Sequence, residues 1–172
     1  MKKLIVLIII LVLFGLVIAF LVNKTQETYK EKNLPDSGLL SIPSIEVYNL
    51  NNETVKLDSL CSEGKTIIVC FDTDCDICQI EAREFRNLQN KFEDSRVVFI
   101  SNNAVDEIRK FITDNGLDDS GYIFLNDKDY QLVRNYNIPT MPYMLLYIDS
   151  KLYKSYKGGI NIEQIIKDKH DR

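Results

Sequence analysis

Hydrophobic positions in this chain fall into two regimes. Residues 4–22 run for nineteen positions without a charge. A helix of that length rises roughly 28 Å, close to the thickness of a bilayer core. The run is apolar on every face, which argues against a helix half-buried on a soluble core. Residues 23–41 then turn polar and charged and are broken by Pro35 and Gly38, the composition of a tether. From Ile42 onward the apolar residues recur at short strand-like and helix-like periods.

Within 42–172 the pattern reads as one α/β domain. Ile45, Val47, Val55 and Leu57 alternate with polar neighbours around Asn51-Asn52, which predicts a β-hairpin. Asp58 opens a short turn through Leu60. Residues 66–71 are apolar and rich in β-branched side chains, as a strand buried on both faces requires. Ala82, Phe85, Leu88 and Phe92 mark one face of a helix over 76–93. Residues 96–101 predict a second buried strand. Val105, Ile108, Phe111 and Ile112 mark a helix stopped by Asn115-Gly116. A short strand at 122–125 and a short helix at 129–136 follow, the latter with Leu132, Val133 and Tyr136 inward. Residues 143–148 and 152–156 predict a hairpin around Asp149-Ser150, and Gly158-Gly159 leads to a last helix carrying Ile162, Ile165 and Ile166. The order is a leading hairpin, then βαβαβα, then ββα. It implies a mixed sheet covered on both faces.

Charge and leading residues refine this organisation. The formal net charge is −4, and setting Lys2 and Lys3 aside leaves 19 basic against 25 acidic side chains. Such a surface disfavours nucleic acid, which wants clustered Lys and Arg. Lys2 and Lys3 precede the apolar run, so the positive-inside bias predicts a cytoplasmic N-terminus with the rest across the membrane. The segments are then an anchor over 1–22, a tether over 23–41 and a folded domain over 42–172. A cleaved export signal is the alternative. Its apolar region would be unusually long, and no clear small-x-small site precedes Asn23.

The chemistry centres on Cys75-Asp76-Ile77-Cys78, where a strand pattern gives way to a helical one. Two cysteines at this spacing can close a disulfide and open it again. Unpaired N–H groups at the helix start favour an anion on the first sulfur. A second thiol within reach can release a mixed disulfide formed by the first. A zinc site would need further ligands, and only Cys61, Cys70 and the single His170 remain. Cys70 reads as a small core residue and Cys61 as a free thiol, with a bridge between the two left open. A Cys75–Cys78 bridge that never turns over is a further alternative for an exported chain.

Three stretches carry a family resemblance: 47–57 (the leading hairpin), Phe71-Asp72-Thr73-Asp74-Cys75-Asp76-Ile77-Cys78, and Tyr136-Asn137-Ile138-Pro139-Thr140-Met141-Pro142-Tyr143. Together they resemble the thioredoxin superfamily over about 42–167. The detailed likeness is to the membrane-anchored, TlpA-like thiol-disulfide oxidoreductases, relatives of the AhpC/TSA redoxins and peroxiredoxins. The resemblance implies a thioredoxin fold: a mixed central sheet flanked by helices, extended by an N-terminal β-hairpin and carried on a single transmembrane helix. It implies Cys75 as nucleophile, Cys78 as resolving thiol and redox-active partner, and Pro142 as a cis-proline. Met141 before it would pair with an extended substrate peptide. It implies exported protein substrates with thiols or disulfides, a membrane thiol electron donor, no cofactor, and a bacterial cytoplasmic membrane with the domain on the periplasmic side.

The sequence departs from that family in three places. Asp74 stands where a Trp is usual, Asp76-Ile77 lacks the common proline, and Val69 occupies the strand position where thioredoxins bury a carboxylate. Glu81 and Glu84 are candidate proton carriers, weighed against an ordinary solvated helix face. Asp72, Asp74 and Asp76 surround Cys75 and oppose its ionisation, which predicts a reducing couple. Two other functions stay open. Peroxiredoxins carry a Thr three residues before the peroxidatic cysteine, where this chain has Asp72. A tethered thioredoxin-fold binding module without turnover is the other.

Overall fold

The computed structural model describes residues 41–61 and 63–168, together with 14, 15, 17 and 18. The chain divides into two units, Met1–Leu34 and Pro35–Arg172. The four described residues of the first are helical and exposed. The predicted anchor and nearly all of the predicted tether therefore lie outside the described residues. Among the described residues no helix is long and apolar enough to cross a membrane.

The elements follow the order read from the sequence. They are β1 (Glu46–Asn49), β2 (Thr54–Lys56), β3 (Lys65–Cys70), α1 (Asp76–Asn87), β4 (Ser95–Ser101), α2 (Val105–Asp114), β5 (Ile123–Asn126), α3 (Gln131–Tyr136), β6 (Tyr143–Ile148), β7 (Lys151–Lys157) and α4 (Glu163–Lys167). One seven-stranded sheet runs β2-β1-β5-β4-β3-β6-β7. β3, β4 and β5 are parallel, each joined to the next by a helix. β6 runs antiparallel to β3, and β7 and the β1–β2 hairpin extend the two edges antiparallel. This is a thioredoxin-like α/β fold with a mixed sheet.

All six residues of β3 are buried, as its unbroken apolar run predicts. Ile67, Val69 and Phe71 pack with Ala82 and Phe85 of α1, Ile108 and Phe111 of α2, and Ile165 of α4. Ile68 and Cys70 face the other way, against Leu132 and Tyr136 of α3 and Leu57 after the hairpin. The first cluster is rich in aromatic rings. Phe85 meets Phe99 edge-on at 5.3 Å and lies 5.1 Å from Phe92. Phe71 lies 4.5 Å from Phe111.

Strand ends shift by a residue, and two helix boundaries differ from the sequence reading by more. The helix expected over 76–93 ends at Asn87 and continues as a short 3-10 turn, Gln89–Lys91. Asn87 and Asn90 are poor helix formers, and the tighter turn still delivers Phe92 to the core. The helix expected from 129 begins at Gln131. Asp127 captures the Gln131 and Leu132 N–H groups, each at 2.8 Å, so the chain bends through left-handed Tyr130 first.

Ser41, where the continuous described stretch begins, lies at the base of the sheet. Ser41 pairs with Lys151 at the start of β7, and its carbonyl accepts the Tyr136 hydroxyl at 3.3 Å. That is the end of β3 opposite Cys70.

Phe85 is fully buried at the centre of the aromatic cluster. Phe85→Ala should lower unfolding stability by about 3–5 kcal/mol in urea titration, because the cavity adds to the lost transfer energy.

Candidate redox-active site

The site forms where β3 leaves the core. Phe71 N–H makes a last ladder bond to Ile100 O at 3.1 Å. The next main-chain donors leave the sheet and need other partners. Thr73 N–H goes to Asn103 Oδ1 at 3.2 Å, Asp74 N–H to Asp72 Oδ1 at 2.9 Å, and Cys75 N–H to Asp72 O at 3.3 Å. Gln79 of α1 reaches back through Nε2 to Thr73 O at 3.3 Å. These bonds bring Cys75 to the N-cap of α1 in an extended conformation.

At the N-cap a sulfur stands where an oxygen usually caps. Cys75 Sγ accepts the Cys78 N–H at 3.2 Å, so the helix end is satisfied by the candidate nucleophile itself. Cys75 is partly exposed and Cys78 buried, the asymmetry an attacking and a resolving thiol require. Burial pushes the Cys78 thiol well above the usual range. The Asp72 main chain opposes this, and Cys75 and Glu81 add to it. Both sulfurs are free thiols here.

The Met141–Pro142 peptide is cis. Tyr143 beside it pairs with Cys70, so the loop lies at the same end of the sheet as the cysteine motif. Met141 and Cys75 both pack against the aromatic cluster. Gly158 N–H donates to Pro142 O at 3.0 Å, joining the end of β7 to the proline loop. At Gly159 a Cβ would come within 2.9 Å of Ile77 Cγ2, so glycine lets this loop rest on the first turn of α1. Ile77 and Ile80 leave about half their surface exposed beside Cys75, at 47% and 51%.

Glu81 is the residue the sequence places least well. It lies one turn beyond Cys78 and is buried, not solvated, while Glu84 is half-exposed. Glu81 Oε1 accepts Ile160 N–H at 2.8 Å, and Oε2 has no hydrogen-bond partner among the described residues. Burial raises its carboxyl to about 7; the Ile160 bond pulls the other way and Glu84 adds a smaller push. A buried carboxyl near neutrality beside a buried thiol can accept and return a proton. Nothing in the sequence pointed to Asn103, Gln79 or Ile160, because their contacts join distant loops.

Asp74 and Asp76 are exposed and Asp72 is partly buried, with its Oδ1 accepting the Asp74 N–H. Cys61 and Cys70 do not bridge. Both are free, buried thiols of the cluster over α3. Burial raises the Cys61 thiol to about 11 and Cys70 higher still, so both are inert core thiols.

The raised Glu81 carboxyl makes stability depend on pH with a definite sign. The folded state holds this proton up to about 7 and the unfolded chain only to about 4.5. The contribution is therefore complete below 4.5 and lost as pH rises through 7. Glu81→Gln should gain stability on the wild type across that window, by up to about 3 kcal/mol at pH 8. Urea midpoints of both proteins at pH 5 and pH 8 check this.

Comparison with known proteins supports the fold independently. A secreted disulfide oxidoreductase of Mycobacterium tuberculosis, described as homologous to E. coli DsbE, matches with TM-score 0.61 and 18% identity over 72% of this chain and 92% of its own. StoA from Bacillus subtilis matches with TM-score 0.57 and 19% identity, covering 73% and 98%. Peroxidoxin BcpB from M. tuberculosis matches with TM-score 0.65 and 17% identity, covering 77% and 96%. No curated protein sequence matches the chain. The AhpC/TSA family model matches residues 40–159, a stretch that takes in the cysteine motif, Glu81 and the cis-proline loop, and the chain belongs to that family.

Proposed function

We propose that this protein is a TlpA-like, membrane-tethered thiol-disulfide oxidoreductase that reduces disulfides of exported proteins. The observation that carries the reading is the pairing of a partly exposed Cys75, capping α1, with a buried Cys78 whose N–H it accepts. The cis Met141–Pro142 loop at the same end of the sheet supports it.

The reaction runs in two displacements. Cys75 thiolate attacks one sulfur of a substrate disulfide. The substrate S–S bond breaks, a Cys75–substrate mixed disulfide forms, and the departing thiolate takes a proton. Cys78 then gives its proton to Glu81 and attacks Cys75 Sγ. The Cys75–Cys78 disulfide forms and the second substrate thiol leaves. Two electrons pass from protein to substrate, and a membrane dithiol restores the pair by the same exchange in reverse. Met141 offers main-chain groups to an extended substrate, and exposed Ile77 and Ile80 supply apolar contact beside it.

The apolar run 4–22 behind Lys2 and Lys3 supports an uncleaved anchor, with the domain on the outer face of a bacterial cytoplasmic membrane. Asp74 and Asp76 support the reducing direction, since negative charge beside the dithiol disfavours its reduced, ionised form.

Insulin reduction by the purified full-length chain tests the activity. Cys75→Ser should abolish it, and Cys78→Ser should accumulate a mixed disulfide visible on a non-reducing gel. Peroxide consumption without disulfide exchange would instead establish a peroxidase, and activity in neither assay a binding module. The direction has its own test. Asp74→Asn with Asp76→Asn should move the glutathione equilibrium toward the dithiol by roughly three- to tenfold. An unchanged equilibrium removes the acidic surround as the cause of reducing behaviour.

A further inference from the structure

We infer that Asn103 is a positioning residue for the dithiol: its side-chain oxygen pins the Thr73 N–H and so fixes where Cys75 enters α1. The inference rests on the dithiol reading above.

The loop from Asp72 to Cys75 is held by bonds of two kinds. Asp74 N–H and Cys75 N–H both bond to Asp72, and these bonds move with the loop. Gln79 holds Thr73 O from α1, the element whose start is being positioned. Among the described residues, Thr73 N–H to Asn103 Oδ1 is the bond by which the loop's donors reach the segment that follows β4. Without it, among the described residues, the last main-chain donor bonded to the sheet is that of Phe71, four residues before the sulfur.

Asn103 is itself held from several sides. Its Oδ1 also accepts the Ser101 hydroxyl at 2.7 Å, and its N–H donates to Ser101 Oγ at 3.1 Å. Its carbonyl accepts Asn126 Nδ2 at 2.7 Å, and the same Nδ2 reaches Ser101 O at 3.2 Å. Asn126 ends β5, where it pairs with Ser101 of β4 on one side and Tyr48 of β1 on the other. A continuous set of bonds thus runs from the N-terminal hairpin through Asn126 and Asn103 to Thr73. The acceptor is preorganised before the loop arrives.

Placement of this kind affects chemistry because the field of a helix end falls off within one turn. A sulfur that drifts from the N-cap loses both that field and the Cys78 N–H. The dithiol's ionised form is then less stabilised, and its disulfide becomes harder to reduce. Asparagine suits the role: its oxygen accepts two bonds without adding a charge beside the sulfur.

The test uses the full-length chain and two readouts that a merely structural role would leave alone. One is the rate of Cys75 alkylation by iodoacetamide at pH 7, resolved by peptide mass spectrometry. The other is the equilibrium constant of the Cys75–Cys78 disulfide against glutathione. Asn103→Ala should slow alkylation roughly three- to tenfold and shift the equilibrium toward the disulfide in similar proportion. Ser101→Ala, which frees one side of Asn103 Oδ1, should move both the same way by less. Asn102→Ala should move neither. If Asn103→Ala and Ser101→Ala both match the wild type, the inference is overturned, even where stability falls. If Asn103→Ala does not fold, Ser101→Ala decides by the same criterion. A wild type that never forms the Cys75–Cys78 disulfide would instead overturn the dithiol reading, while the alkylation comparison would still judge Asn103.

Discussion

Burial of β3 on both faces is the constraint on which the geometry of the candidate site depends. A strand sealed between two clusters can sit in one register only, since a one-residue slip would exchange the side chains of its two faces. Ile67, Val69 and Phe71 commit to the cluster under α1, and Ile68 and Cys70 to the cluster over α3. The place where the chain leaves the sheet is thereby fixed. Everything that follows, from Asp72 to the cap at Cys75, is the backbone satisfying its donors as it turns from strand to helix.

The periodic elements were legible in the sequence because each is a local pattern. The β3 run, the α1 stripe through Ala82 and Phe85, and the β6–β7 hairpin all stand where the apolar spacing puts them. Cys75-Asp76-Ile77-Cys78 was legible for the same reason, as a spacing on a helix start. The misreadings fall where a non-local or side-chain bond overrides propensity. Asp127 delays the start of α3 by capping it from outside. Glu81 looks like a solvated helix residue until Ile160, 79 positions later, closes over it. Asn103 carried no local signal at all, since its meaning lies in Thr73 and Asn126.

The position of the carboxyl group also bears on how this site differs from the pattern it resembles. Where thioredoxins bury a carboxylate on the strand, this chain has Val69, which packs in the aromatic cluster. The buried carboxyl has moved to α1, on the same helix as both sulfurs. Cys78 and Glu81 are three residues apart, so they share one helix face. Proton and thiol are then carried by a single rigid element, and the geometry between them does not depend on how the helix docks on the sheet.

The place of Ser41 at the foot of the sheet has a mechanical consequence. Ser41 pairs with Lys151, near Lys65 at the foot of β3, while Cys75 follows the head of the same strand, about 20 Å away. A pull applied through the preceding segment therefore acts on the floor of the sheet and leaves the sulfurs unloaded. Foothold and loop are mechanically separate, so the loop that holds Cys75 keeps its geometry whatever acts on Ser41.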